Sequence, residues 1–310
     1  MRTKAINNNI NDIWTLTKRN MLLFLKNKST VFFSLLAPIL ILIIYVFFMG
    51  NVQVTTIQGM MSADIANIVD ESTIRSIVNA WMVSGVVGIA CITVALNSML
   101  SVVQDRESGA VNDFKASPIS PVKLLCSYFL AAVIITFSIC LIVLIIVISY
   151  LWISTGVGFS FESIMELLLI LLLSCLSAVI IMMCIMSFFK SGAGSTAFTG
   201  VFSALIGFLT GAYFPLGFLP EGVQNFASLI PGTHSTSLFR NVFIGNILKS
   251  LPSDIPADFT NQVKGTYSFN LKLFGAEFTA PYMYIFLGAS VAVFFLVYLI
   301  IDRIRAGRKN

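Results

Sequence analysis

Hydrophobic residues fill six long stretches of the chain, and most charged residues lie between those stretches. About 20 consecutive apolar residues cross the hydrocarbon layer of a bilayer as an α-helix. The pattern therefore predicts an all-α integral membrane fold with six transmembrane helices. The predicted spans are residues 31–50, 81–103, 124–151, 164–189, 196–214 and 282–301.

The first 30 residues precede the first span and form a basic segment with its own periodicity. Apolar residues recur at helical spacing from Ile10 to Leu25, among basic residues such as Lys18 and Arg19. This pattern predicts an amphipathic helix at the cytoplasmic membrane interface. The alternative is an ordinary cytoplasmic helix that packs on protein.

Residues 211–248 follow the fifth span and are apolar, but Pro215, Pro220 and Pro231 interrupt them. The pattern predicts two short helices, neither of them long enough to span. Broken helices are tolerated at membrane depth where protein or a water-filled cavity covers them, so we expect a re-entrant region. A plain extracellular helical hairpin fits the pattern equally well. The polar residues 250–270 are expected to form a surface loop.

Composition supports the membrane assignment. Hydrophobic residues make up 57% of the chain and charged residues 11%, and the mean hydropathy is +0.92. So few charges cannot cover a water-soluble globule of this size. The five cysteines all lie in apolar stretches without a Cys-x-x-Cys pair. We interpret them as small hydrophobic residues, so no disulfide and no metal site is predicted.

The distribution of charge predicts the orientation. If the N-terminus is cytoplasmic, 14 of the 19 basic residues fall on the cytoplasmic side and nine of the 14 acidic residues fall outside. Basic residues concentrate on the cytoplasmic side of membrane proteins. We therefore expect a multi-pass protein of the cell membrane with both termini in the cytoplasm.

A charged cytoplasmic segment, residues 104–123, separates the second span from the third. Asp105, Arg106 and Glu107 offer charges with which a partner could pair, and Gly109 would let another surface approach closely. The prolines at 118 and 121 are expected to form a rigid corner. The alternative is a solvated loop that only satisfies the charge rule.

The chain shows no energy source for transport of its own. Within the predicted spans the only acidic or basic residue is Glu166, at the outer end of the fourth, whereas ion-driven carriers carry ionisable residues in their spans. The chain has no Gly-Lys pair, and therefore no Gly-x-x-x-x-Gly-Lys-Ser/Thr loop for nucleotide phosphates. His234 has no partnered nucleophile in the sequence. The pattern indicates a conduit and not an enzyme.

Two motifs resemble the membrane subunit of type-2 ATP-binding-cassette (ABC) exporters. Residues 102–134, which begin VVQDRESGAVNDFKASP, are similar to that family's acidic-Arg-Glu-x-Gly and small-x-Pro pattern before a hydrophobic re-entry. Residues 211–240 are similar to its Gly-x-x-Phe-Pro…Leu-Pro…Pro-x-x-His…Arg segment. With six spans after a basic helix, the resemblance covers residues 1–310 as a single type-2 ABC transmembrane domain. The short outer loop 51–80 resembles the compact, drug-exporter-like branch.

The resemblance implies the permease subunit of an exporter that moves an amphipathic or hydrophobic substrate (a drug, lipid or peptide) out of the cytoplasm. ATP and Mg would be bound by a separate ABC ATPase, with no cofactor on this chain and no nucleic acid as partner. A second permease copy, identical or related, would complete the unit. An ion-coupled secondary carrier and a non-transporting membrane anchor or sensor are the alternatives.

The resemblance also implies roles for particular residues. Residues 104–123 would be the coupling helix that docks on the ATPase, through Asp105, Arg106, Glu107, Gly109, Ser117 and Pro118. The outer gate would involve Phe214, Pro215, Pro220, Pro231, His234 and Arg240, where helix capping is the alternative for the last two. A translocation path or dimer interface would involve Phe198, Gly200, Phe202, Gly207, Phe208 and Gly211, where lipid contact or core packing is the alternative.

Overall fold

The computed structural model describes residues 2–60, 69–117, 119–251 and 255–307, and these are almost entirely helical. The helices are α1 Arg2–Lys26, α2 Lys28–Ile44, α3 Gly50–Met60, α4 Glu71–Ser98, α5 Leu100–Glu107, α6 Ala110–Ala116, α7 Pro121–Thr155, α8 Phe161–Met186, α9 Gly192–Leu209, α10 Glu221–Ser228, α11 Pro231–Lys249, α12 Ala257–Thr266 and α13 Ala280–Gly307. A short antiparallel hairpin, β1 Leu271–Leu273 and β2 Ala276–Phe278, pairs Leu271 with Phe278.

Five helical segments are long and apolar enough to cross a membrane, and one bent pair raises the number to six. The bent pair is the first predicted span, in which Pro38–Phe48 meets Gly50–Gly59 at 52°. A π-helical turn, Tyr45–Met49, lies at the bend. The predicted all-α integral membrane fold is confirmed.

The first span differs from its prediction at its far end. The prediction ended at residue 50 because hydropathy falls there, but α3 continues the helix to Met60. Falling hydropathy marks where a helix leaves the bilayer and not where the helix itself ends. The π turn directs Tyr45 into the core, where it is 3% exposed.

Helix α4 is the centre of the bundle and packs against α2, α7, α8, α9 and α11. Small residues let its neighbours approach closely. A methyl group added at Gly88 would lie 2.1 Å from Oγ1 of Thr236 on α11, and one added at Gly85 would lie 2.7 Å from Cβ of Ala212. These contacts hold helix α11 and the turn after α9 directly against α4.

Local capping explains where several spans begin. Ser120, Ser160 and Ser191 precede α7, α8 and α9, and the side chain of each accepts a hydrogen bond from the backbone N–H three residues later. Such serine caps satisfy donors that the first helical turn leaves unpaired. Helix α7 also begins with Pro121, at the position where a helix tolerates proline best.

Helix α1 has two apolar faces. One face packs against α7 and buries Leu16, Thr17 and Phe24. The other exposes Ile10 and Trp14, which are 59% and 57% accessible. The helix therefore packs on protein and also presents apolar side chains beside its basic residues.

The segment after α11 is more ordered than its polarity indicates. Residues 250–270 were predicted to form a surface loop, but this prediction is wrong because residues 257–266 form α12. Phe259 and Val263 are buried, and so is Tyr267 beyond the helix end. Spaced four residues apart, these apolar side chains give α12 a face that packs on the bundle.

Candidate functional site

The candidate coupling segment consists of two short helices, α5 and α6, where a single helix was predicted. They meet at Gly109, whose φ of +81° lies in the left-handed region that side chains disfavour. The nearest atom to an added methyl group there is Nδ2 of Asn112 at 3.9 Å. Gly109 is thus required by the turn, and no close approach by another surface explains it within the described residues.

Asp105 is an internal anchor and not a free surface charge, because it is only 7% exposed. Its carboxylate accepts hydrogen bonds from Nη1 and Nη2 of Arg19 at 2.5 and 3.0 Å, and from Oη of Tyr128 at 2.5 Å. The bonds from Arg19 come from α1 and the bond from Tyr128 comes from α7. The expectation that Asp105 offers its charge to a partner is therefore corrected.

Arg19 is held in place from two sides. Its guanidinium lies 5.1 Å from the ring centre of Phe114 on α6, in addition to the pair with Asp105. The hydrogen bonds to Asp105 raise the pKa of Arg19 above its already high ordinary value. The side chain therefore carries its charge throughout the physiological range and links α1 to both short helices.

Arg106 and Glu107 hold the two ends of the connection between α8 and α9. Nη1 of Arg106 donates to the carbonyl of Ser187 at 3.1 Å, just after the end of α8. The carboxylate of Glu107 accepts from the backbone N–H of Gly192 at 2.9 Å, at the start of α9. A cation at a helix C-terminus and an anion at an N-terminus both complement the helix dipole.

Exposed polar side chains of the coupling segment lie both on α5 and on α6. Asn112 and Asp113 are exposed, and no hydrogen bond or ion pair within the described ranges engages Asp113. Ser117 bonds to the carbonyl of Phe114, and Pro118 lies outside the described residues. The sequence did not identify Asp113 as a candidate, because Asp113 is not one of the residues of the family motif.

The broken region (residues 211–248) contains the two helices that the proline pattern predicts, α10 and α11. Helix α10 is short, but α11 has 19 residues, and its polarity, not its length, excludes it from the candidate spans. The chain leaves α9 through Gly211 at φ +66°, a left-handed turn that glycine permits. Pro220 caps α10, and Pro231 is the first residue of α11. Phe214 is 43% exposed, and the neighbouring Pro215 precedes a single 3₁₀ turn, Leu216–Phe218.

His234 and Arg240 are both buried on α11. Nε2 of His234 lies 2.7 Å from the carbonyl of Ser228, and its ring stacks on Phe286 with centroids 4.0 Å apart. Burial lowers the pKa of His234 to about 4, so the ring is neutral at physiological pH. Nη2 of Arg240 donates to the carbonyls of Thr210 and Gly211 at 2.9 and 2.6 Å, and so caps the end of α9.

The six candidate residues for a path or dimer interface divide into two groups. Four contact their own chain or shape its turns: Phe198 stacks on Phe202, Gly207 lies against the ring of Tyr213, and Gly211 forms the turn. The other two, Gly200 and Phe208, belong to an exposed face of α9, where the ring of Phe208 also meets that of Tyr213 edge-on with centroids 5.1 Å apart. This face, which we call the open face, comprises Ala193, Ala197, Gly200, Val201, Ala204, Leu205 and Phe208.

Three cysteines from three helices meet in the core of the bundle. The Sγ atoms of Cys91, Cys140 and Cys175, on α4, α7 and α8, all lie within 4.8 Å of one another. Three thiols at this spacing could hold a soft ion such as Cu(I). The interpretation of the cysteines as separate hydrophobic residues missed this convergence, since no spacing along the chain indicates it.

The fold agrees with a comparison to known families. A family model described as ABC-2 type transporter matches residues 11–244, which extend from α1 into α11. The chain belongs to the ABC-2 type transporter family. The resemblance inferred from the two motifs is thereby confirmed. A search among curated proteins gave no match.

Membership assigns the coarse function of this ABC-2 chain. It is the permease component of a membrane transporter, and the family implies an ABC ATPase as its partner. Both regions that carried the sequence resemblance, residues 102–134 and 211–240, lie within the matched residues.

Proposed function

We propose that this ABC-2 permease is the membrane subunit of an ATP-driven exporter for amphipathic or hydrophobic substrates. A separate ABC ATPase binds ATP and Mg, and two permease copies form the conduit. Both termini lie in the cytoplasm, which the distribution of basic residues supports. In that orientation the coupling segment and α1 face the ATPase side.

The observation that carries the proposal is the set of contacts from the short helix α5 to the rest of the bundle. Asp105 connects it to α1 and α7, while Arg106 and Glu107 connect it to the α8–α9 connection. Helix α5 also continues directly from α4. A displacement of α5 and α6 by the ATPase is therefore passed to most of the membrane helices at once.

In this arrangement the docking surface is α6, with Asn112 and Asp113 exposed, and the motif residues transmit the motion. For Asp105 the division follows from burial, because a carboxylate already bonded to Arg19 and Tyr128 has little capacity left for a partner. Glu107 is exposed, but its carboxylate already accepts the N–H of Gly192. The coupling residues thus act between the docking surface and the spans.

A co-purification assay tests docking. The permease is expressed with its ABC ATPase, extracted in mild detergent and captured by a tag on the permease. We expect Asp113→Arg to lose the ATPase, while the matched reversal Asp258→Arg on the outer helix α12 retains it. Retention of the ATPase by Asp113→Arg would contradict α6 as the docking surface.

A flux assay tests whether α5 transmits motion to the spans and in which direction the substrate moves. Inside-out vesicles are given ATP and either a fluorescent amphipathic dye or a fluorescent phospholipid. We expect ATP-dependent uptake by wild type and at least tenfold less by Glu107→Ala, with the ATPase still bound. The control Glu71→Ala removes an exposed carboxylate at the opposite end of α4.

The outcomes of the flux assay separate the candidate functions. Uptake without ATP that follows an ion gradient would favour an ion-coupled carrier. ATPase binding without uptake of any substrate would favour an anchor or sensor. Uptake by Glu107→Ala at the wild-type rate would show that Glu107 does not transmit the motion of the ATPase to the spans.

The open face of α9 is proposed as the contact with the second permease copy. Only 22% of the apolar window of α9 is buried; that of α13 is 17% buried, but its exposed side chains are large, such as Ile285 and Phe295. Small residues such as Gly200 and Ala204 let helix backbones approach closely in membranes. Gly200→Cys should therefore form a disulfide-linked dimer under mild oxidation, whereas Gly158→Cys, in the exposed loop before α8, should not.

A further inference from the structure

Arg240 is a buried cation whose guanidinium is only partly satisfied. The residue is fully inaccessible, and only Nη2 finds acceptors, namely the carbonyls of Thr210 and Gly211. Nε and Nη1 have no hydrogen-bond partner in the described part of the chain. The positive charge is also unbalanced, since none of the ion pairs among the described residues includes Arg240.

Two further buried polar groups in the same neighbourhood lack partners. They are Nε1 of Trp81 and Oη of Tyr267, neither of which has a hydrogen-bond partner among the residues described. Their rings lie 5.4 Å apart, and the ring of Tyr45 lies 6.0 Å from that of Trp81. The tyrosines at 45 and 267 are the titratable groups that face the guanidinium of Arg240 electrostatically.

The turn after α9 ties these residues into one cluster. Arg240 donates to the carbonyl of Gly211, and the hydroxyl of Tyr45 donates to the next carbonyl, that of Ala212. The cluster therefore joins the π turn of the first span, α4, α11 and the segment after α12. We call it the Arg240 cluster, consisting of Tyr45, Trp81, Arg240 and Tyr267.

The groups of the cluster that lack a hydrogen-bond partner can all act as donors. Nε and Nη1 of Arg240 and Nε1 of Trp81 can only donate, and the Tyr267 hydroxyl can donate. The three nearby carbonyls at 210–212 already accept bonds. A buried ion without a counter-ion is costly, so unpartnered donors in the same cluster as this charge favour an acceptor that carries negative charge.

We propose that the Arg240 cluster binds a small inorganic monoanion, of which chloride is the most abundant. A single negative charge neutralises the guanidinium, and full burial among three aromatic rings favours an ion of few atoms. A water molecule would satisfy the donors but would leave the charge unbalanced. The bound anion would fasten the broken region to α4 and to the bend of the first span.

The site is distinct from the coupling segment, and the proposal does not depend on the exported substrate. Anion binding stabilises whichever state contains the assembled cluster. Stability of the purified permease should therefore depend on chloride at constant ionic strength.

The test uses the full chain purified in detergent, with chloride exchanged for gluconate at fixed ionic strength. We expect a saturable rise in Tm of about 5–10 °C as chloride reaches 100 times its Kd. Intrinsic fluorescence gives a second readout in the Trp14→Phe, Trp152→Phe background, where Trp81 is the remaining tryptophan. Iodide should quench it saturably, and chloride should compete.

Substitutions test whether the chloride effect on Tm arises at the Arg240 cluster. Tyr267→Phe keeps the aromatic packing and should weaken chloride dependence several-fold, while Arg240→Met should abolish it. Arg75→Met, which removes an exposed cation on the same helix as Trp81, should behave as wild type. If Arg240→Met does not fold, the wild-type and Tyr267→Phe titrations still decide the question.

Two results would overturn the proposal. One is a wild-type Tm that is equal in chloride and gluconate, which indicates a water-filled or dry cluster. The other is an unchanged chloride response in Tyr267→Phe and Arg240→Met, which indicates a general salt effect.

Discussion

Removal of the Asp105 carboxylate tests whether the coupling segment is anchored as the structure indicates. Asp105→Ala leaves the buried hydroxyl of Tyr128 without its acceptor and separates Arg19 from its counter-ion. Loss of one partner of a fully buried pair costs about 3–5 kcal/mol. The expected cost is smaller here because the Arg19 side chain is 33% exposed and water can solvate it.

The remaining cost comes from the unsatisfied hydroxyl and from lost charge-assisted bonds. An unpartnered buried hydroxyl costs about 1–3 kcal/mol. We therefore expect Asp105→Ala to lower the free energy of unfolding by about 2–4 kcal/mol. For a chain of this size that corresponds to a fall in Tm of roughly 5–10 °C.

A thermal shift assay in detergent, read by size-exclusion fluorescence, measures the change. The control is Glu71→Ala, which breaks the exposed pair with Arg75, whose side chains are 50% and 55% accessible. Exposed pairs contribute at most about 1 kcal/mol. The control should therefore shift Tm by a degree or two at most.

A double-mutant cycle with Arg19→Met isolates the pair. Because both residues share one hydrogen-bonded contact, their effects should be non-additive by more than about 0.5 kcal/mol. Strict additivity, or a Tm for Asp105→Ala equal to that of the Glu71 control, would refute the anchoring.

Three further perturbations test separate features. Gly88→Ala should destabilise the bundle by about 1–3 kcal/mol because the added methyl meets Thr236 at 2.1 Å, whereas Gly245→Ala, with open space around it, should cost nothing in the same Tm assay. Gly109→Ala should cost about 1–2 kcal/mol of unfolding free energy through its left-handed φ, and an unchanged Tm would contradict the turn. Acidification from pH 7 to 5 should destabilise wild type by about 2 kcal/mol more than His234→Gln. The folded-state pKa of His234, about 4, lies below its ordinary value of 6.5, so the unfolded state binds the proton first. Equal losses of stability in the two proteins would contradict the neutral, buried His234.

The sequence by itself determined the class of fold and the family. Hydrophobic length is a local property, so the six apolar stretches indicated the spans without knowledge of their neighbours. The prolines at 215, 220 and 231 interrupted helices through their own backbone chemistry, and α10 and α11 followed from them. The motifs around Asp105 and after Gly211 then sufficed for the resemblance.

The tertiary structure decided which side chains are free and which are engaged. Asp105 was predicted to be a surface charge, because the sequence does not show that α1 and α7 pack around it. The thiols of Cys91, Cys140 and Cys175 converge only because three helices distant in the chain turn the same faces inward. The unbalanced burial of Arg240 likewise depends on four elements that sequence separation keeps apart, since a helix face acquires its neighbours only when the bundle packs.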